Sequence, residues 1–325
     1  MKNKLKHISL QLSQIKKQNN LKDSFLHLSQ MIPIIGVGKD LRQKAFLMPG
    51  ILTVLFVVGL FCFSSSPKIF NFILAIYLIG GAYYFIYRQA GKSKPWWLLV
   101  SSAVITVLFL CTGIFDIFAF VFRDILPGKI SKDPNIEFIP SFISMFFGAG
   151  MCEELFKALP VFIFLGIGRR LKSPSRKRIG VWEPLDGILI GTASAAGFTL
   201  LETLGQYVPN QIAEVGLGAG ELAGLQLLIP RIIGSVAGHM AYSGYFGYFI
   251  GLSILKPSKR WQILAIGYLT ASVLHALWNA APNIWITIFA GVLAYAFLMA
   301  AILKARELSP DRSENWATVK YPKIK

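Results

Sequence analysis

Gly148-Ala-Gly-Met-Cys-Glu153-Glu154-Leu-Phe-Lys157-Ala-Leu-Pro160 is the stretch on which the reading of this chain turns. Two adjacent carboxylates, with an ammonium one turn later, stand inside an apolar run from about 138 to 168. A run of that length can cross a bilayer as a helix. On insertion scales each charge near mid-membrane costs roughly 2.5–3.5 kcal/mol. Glu153 and Lys157 are four residues apart and can pair along the helix, a contact worth only about 0.5 kcal/mol in water. Glu154 points about 100° away and needs a different partner. The polar groups that other apolar runs supply are Glu202, His239, His275 and Asn279.

The composition fits that reading. Of 325 residues, 54% are hydrophobic and 15% charged, with mean hydropathy +0.56. A soluble domain carries about 25% charged residues. The expected fold class is therefore all-α, a polytopic membrane helix bundle. The net charge of +17 then points to the membrane surface, and no nucleic-acid partner is expected. Cys62, Cys111 and Cys152 lie far apart in apolar runs and suggest neither disulfide nor zinc framework. The first 45 residues are basic and polar, with no leading apolar core, so no cleavable signal is expected.

Apolar spans fall at about 46–63, 69–87, 96–122, 138–168, 186–208, 227–255, 261–281 and 283–303. Connections on one side hold 27 of the 33 Lys and Arg residues. The positive-inside rule then predicts about eight transmembrane helices with both termini in the cytosol. The expected organisation has three parts: a basic amphipathic cytosolic segment over 1–45, a membrane domain over 46–303 with its catalytic core at about 138–285, and a basic cytosolic tail over 304–325. Leu5, Ile8, Leu12 and Ile15 share one helical face among lysines, which suits contact with anionic lipid. The Gly-rich stretch 209–226 is expected to be an external loop.

The polar residues share a depth. Counted from the cytosolic edge of its span, Glu154 lies 14 residues in, Glu202 16, His239 16 and His275 14. At 1.5 Å per residue each sits about 21–24 Å up. Gly191, Ala195 and Thr199 are spaced for close helix approach, as are Gly234, Gly238 and Tyr242, and Gly247 with Gly251. Ser235, His239 and Ser243 form a polar stripe, and Pro160 is expected to kink its helix. Asp186 reads as a helix N-terminal carboxylate, and Arg231 as a snorkelling residue near the outer surface.

Some chemistries lack their motif. There is no His-Glu-x-x-His and no Gly-x-Ser-x-Gly, and no intramembrane aspartyl pair is set up. A carboxylate acting on water, helped by His and Asn, remains.

Glu153-Glu154-x-x-Lys157, then Gly197-Phe198-x-x-x-Glu202, then His239, then His275-x-x-x-Asn279 resembles the PrsW family of intramembrane proteases. It is also similar to the wider group that holds the CAAX prenyl endopeptidases, with motifs Glu-Glu-x-x-x-Arg, Phe-x-x-x-His and His-x-x-x-Asn. Here Glu202 stands where the CAAX enzymes have His, and Thr203 where PrsW proteins usually have Asn. The resemblance covers about 138–285 and leaves the first three spans outside. It implies a glutamic-type endopeptidase of the bacterial plasma membrane, clipping a membrane-anchored regulatory protein without a cofactor. By the same resemblance Glu153, before Glu154, is the general base. Glu154 holds a His or helps bind the water, His275 and Asn279 stabilise the oxyanion, and His239 and Glu202 complete the water site, with Lys157 in support. Two alternatives stay open. One is a zinc hydrolase with Glu153, Glu154, His239 and His275 as ligands. The other is a non-enzymatic proton-coupled transporter or membrane scaffold.

Overall fold

The structure is a computed structural model that describes residues 47–310 apart from Lys132, Pro134 and Gly216. The basic segment over 1–45 and the tail beyond 310 lie outside the described residues. Among the described residues every regular element is helical. Helix α1, Leu47–Cys62, belongs to a unit of its own that ends at Cys62. It exposes Leu52, Val54, Leu55 and Phe61, as a lipid-facing helix does.

The second unit begins at Phe63. It comprises α2 (Pro67–Ala90), α3 (Trp96–Cys111), α4 (Ile114–Ala119), α5 (Phe138–Met145), α6 (Cys152–Arg170), α7 (Ser175–Ile179), α8 (Pro184–Glu202), α9 (Val208–Val215), α10 (Leu217–Gly234), α11 (His239–Leu255), α12 (Arg260–Asn279) and α13 (Ile284–Leu308). By length and apolar composition four helices suffice to cross a bilayer, and the pair α3 and Ile114–Ile125, bent by 72°, makes a fifth. Two expectations are corrected. The span over 227–255 is two helices, α10 and α11, separated by a turn over Ser235–Gly238. The stretch 209–226 is not a loop: α9 and α10 run through it, because glycine lowers helix propensity without forbidding a helix.

Helix α8 is the centre. Its Gly-Thr-Ala-Ser-Ala-Ala-Gly run is small on every side, so neighbours reach its backbone, and it is buried from Pro184 to Thr199. A methyl added to Gly187 would strike the Gly247 carbonyl of α11, and one on Gly251 would strike Glu183. Gly191 lies against Ser243 in the same way, and Gly197 against Ala103 of α3. Thus Gly247 and Gly251 serve as packing glycines, whereas Gly234 has no atom within 4 Å of an added Cβ. Hydroxyls bind the layers across the same faces: Ser102 donates to the Ile190 carbonyl at 2.8 Å, and Ser194 to the Lys157 carbonyl at 2.7 Å.

Three helices loosen into π turns: Phe120–Ile125 after α4, Phe146–Met151 between α5 and α6, and Thr203–Tyr207 after α8. Such turns are rare and gather at functional sites. The Met151 carbonyl, in the second of them, accepts from the Tyr268 hydroxyl at 2.8 Å. Beyond it, α6 runs through Pro160 to Arg170, so the irregularity expected at the proline lies on the other side of the carboxylates.

At the basic end of the bundle Lys92, Lys94, Glu183 and Asp186 are buried together. Asp186 Oδ1 lies 2.8 Å from Lys92 and 3.0 Å from Lys94, and Lys92 also meets Glu183. Lys94 donates to the carbonyls of Lys177 at 2.7 Å and Gly180 at 2.8 Å, holding that loop. Asp186, expected as a plain helix N-terminal carboxylate, is instead the hub of a four-charge cluster. Burial pushes Glu183 above the usual carboxylate range, with Asp186 adding to it. Burial also lowers Lys94. Burial acts downward on Lys92 too, but Asp186 and Glu183 outweigh it and hold that ammonium above its ordinary value.

Candidate active site

Each irregularity in the helices adjoins a polar group of one cluster. Arg123 sits within the first π turn, Glu153 and Glu154 follow the second, Glu202 precedes the third, and His239 follows the break between α10 and α11. Four helices therefore deliver Glu154, Glu202, His239 and His275 to one place, as their shared depth predicts.

Glu154 and Lys157 are wholly buried on α6. Lys157 Nζ is 2.6 Å from Glu154 Oε1 and 3.9 Å from Glu153 Oε2. The ammonium thus serves Glu154 first, three residues away, not Glu153 as helical spacing suggests. It also lies 3.0 Å from His239 Nδ1 and 4.7 Å from the centre of the Phe198 ring. Glu154 Oε2 accepts from Ser243 at 2.7 Å. A hydrogen bond to a charged group is worth about 1.5–3 kcal/mol. The Ser243 position of the polar stripe is therefore used, whereas Ser235 turns back to its own Ile232 carbonyl at 2.6 Å.

His275 on α12 is fixed from two sides. Its Nδ1 is 2.9 Å from Glu154 Oε1, and the Tyr242 ring stacks on it at 4.9 Å and 19°. With the Nδ1 hydrogen donated to the carboxylate, Nε2 carries the lone pair. That Nε2 lies 3.7 Å from Glu153 Oε2, and neither atom has a hydrogen-bond partner although both are buried. Arg123 approaches the other Glu153 oxygen at 3.6 Å and is steadied by the Gly148 carbonyl at 2.9 Å. Glu202 Oε2 lies 3.3 Å from His239 Nε2 and 2.7 Å from Arg231, whose guanidinium covers the Tyr207 ring at 3.3 Å. Asn279 ends α12 with its side chain exposed, outside this network of printed contacts.

Arg123, Arg231 and Tyr242 are the partners that sequence reasoning missed in this role. Their one signal was cost: a cation or a phenol in an apolar span needs a partner.

One donor atom each from Glu153, His239 and His275 lie within 4.8 Å of one another. Two imidazoles and a carboxylate are a known catalytic zinc set with one position left open. The free Glu153 Oε2 and His275 Nε2 fit a cation between them. Glu154 stands behind His275 as the orienting carboxylate that such ligands generally have. The residues fit a metal.

The family described as PrsW family intramembrane metalloprotease matches residues 94–303. That match begins before α3, so it takes in a helix that the motif resemblance leaves outside. Protease PrsW of Halalkalibacterium halodurans is 24% identical over 176 residues, covering 51% of this chain and 71% of that protein. No solved structure matches. A match across most of the chain, on helices that bring Glu153, Glu154, His239 and His275 together inside an apolar bundle, makes this integral membrane protein a member of the PrsW intramembrane protease family.

Proposed function

We propose that the chain is an endopeptidase that hydrolyses a peptide bond of a membrane-anchored protein, with the attacking water held between Glu153 Oε2 and His275 Nε2. The observation that carries this is the pair itself: two buried atoms, 3.7 Å apart, each without a partner. A buried polar atom left unmet costs about 1–3 kcal/mol, so the gap suits a small polar guest.

In this reading Glu153 takes a proton from the water and later returns it to the leaving amine. Glu154 keeps His275 oriented, and Lys157 offsets its charge. Glu202 steadies His239. Glu153, His239 and His275 would hold the metal that the family's description implies. Bound there, a zinc-like ion supplies a water pKa near 7 and polarises the scissile carbonyl.

A second reading has no metal, and Lys157 favours it. Its ammonium already places a fixed positive charge within 3.9 Å of both glutamates and within 3.0 Å of His239. Glu153 is then the whole of the water-activating machinery, as the sequence resemblance implies. The two readings separate in one experiment on the purified protein in detergent. Turnover of a membrane-anchored test protein is followed with a strong chelator, then after added zinc. Loss and recovery support the metal, and unchanged turnover supports glutamate alone. If Glu153→Gln keeps near-normal turnover, both are wrong.

A further inference from the structure

Beside His239 and His275 lies a cavity of about 280 Å³, between α10, the start of α11, α12 and the first turn of α13. Thr199, Arg231, Tyr242 and His275 line it. Each of these four carries a buried polar atom with no hydrogen-bond partner: Thr199 Oγ1, Arg231 Nε, the Tyr242 hydroxyl and His275 Nε2. An acyl chain would leave all four unmet. A peptide backbone offers a donor and an acceptor at nearly every residue. One flank of the cavity is apolar and open: Ile284 and Ile288 of α13 are 64% and 49% exposed, and Ile229 and Ile233 of α10 are exposed beside it. Gly234, in the wall, faces empty space.

We propose that this cavity receives an unwound segment of the substrate's membrane anchor, entering sideways between α10 and α13. The proposal rests on the hydrolytic reading above. A helix in hydrocarbon keeps every carbonyl bonded within itself, so a carbonyl open to attack needs backbone released from the helix. Released backbone needs new partners, and the four unmet atoms are of the right kind. The exposed isoleucines offer the still-helical flanks an apolar surface.

The test uses single-span proteins as probes. One set carries a Gly-Pro pair in the outer half of the span, and the other an unbroken leucine span. A benzophenone side chain is placed at Gly234 or at Ile288 in the Glu153→Gln protein, with Val104, exposed on α3, as control. The expected result is an adduct with the broken span at Gly234 and Ile288. It should be about tenfold above the control and above the leucine span, and this readout does not depend on hydrolysis. Equal adducts with both spans, or adducts with lipid alone, overturn the proposal. In the active protein, Thr199→Val should raise KM about 3–10-fold with kcat nearly unchanged, the loss of one net hydrogen bond. Gly234→Phe should fill the cavity, with turnover down at least about tenfold and Tm unchanged. Normal cleavage by Gly234→Phe sinks the entry path alone. A clear adduct with no wild-type cleavage of any probe sinks the hydrolytic reading alone.

Discussion

Two clusters bury carboxylates against cations in this bundle, and they differ in how closely the charges meet. At the basic end, Asp186 has ammonium groups at 2.8 and 3.0 Å, and Lys92 closes on Glu183 as well. Around Glu153 the nearest cations are Arg123 at 3.6 Å and Lys157 at 3.9 Å, and one carboxylate oxygen has no hydrogen bond. Both clusters incur the cost of burying charge. The first puts its charges in direct contact and ties Lys94 to the loop carbonyls of Lys177 and Gly180. The second holds Glu153 at arm's length and leaves a lone pair for something else. Tight pairing marks a structural cluster here, and loose pairing a reactive one.

The comparison can be broken by substitution. The largest effect should come from Glu153→Gln: turnover down about 10²–10⁴-fold, with Tm nearly unchanged because no close pair is lost. A large fall in Tm would place Glu153 with the structural cluster. Asp186→Asn should do the reverse. It strips one partner from two buried ammoniums and should cost about 3–5 kcal/mol of stability. Turnover per folded molecule should hold; a loss there at unchanged stability would contradict the division. Glu154→Gln should come third, since it leaves His275 without its orienting carboxylate. Activity or zinc affinity measured by titration should drop about 10–100-fold. Asn279→Ala should be the smallest. An oxyanion donor is worth about 3–4 kcal/mol when removed, but an exposed side chain at the end of α12 should cost under about 0.5 kcal/mol. A larger kinetic loss would restore the role that the motif resemblance gives it.

The helices and their polar cargo were legible because hydrocarbon makes each exception expensive. Glu154, Glu202, His239 and His275 stood out against apolar runs, and their equal depth followed from counting residues. The irregular turns were not legible. A π turn has the same apolar composition as the helix around it, so nothing near Phe146 announces one. The break at Ser235–Gly238 was hidden for a related reason, since glycines that pack helices and glycines that interrupt them are written alike. The Lys92–Asp186 contact was lost differently. Lysines in a cytosolic loop satisfy the positive-inside pattern, and that explanation left no residue asking for a partner. Arg231 was taken to snorkel, where the fold turns it onto Glu202.

The π turn at Phe146–Met151 also sets a phase. It takes up one residue more than an α turn would, so everything after it is rotated by about 100° from where a regular helix would put it. Residue count between Phe138 and Glu153 is therefore a tuning parameter. Deleting one residue there, such as Ala149, would keep every functional side chain in the sequence yet swing Glu153 and Glu154 away from His275. Insertions and deletions in this segment should be far less tolerated than point changes, even conservative against drastic ones. The site is specified by how many residues precede it as much as by which residues it contains.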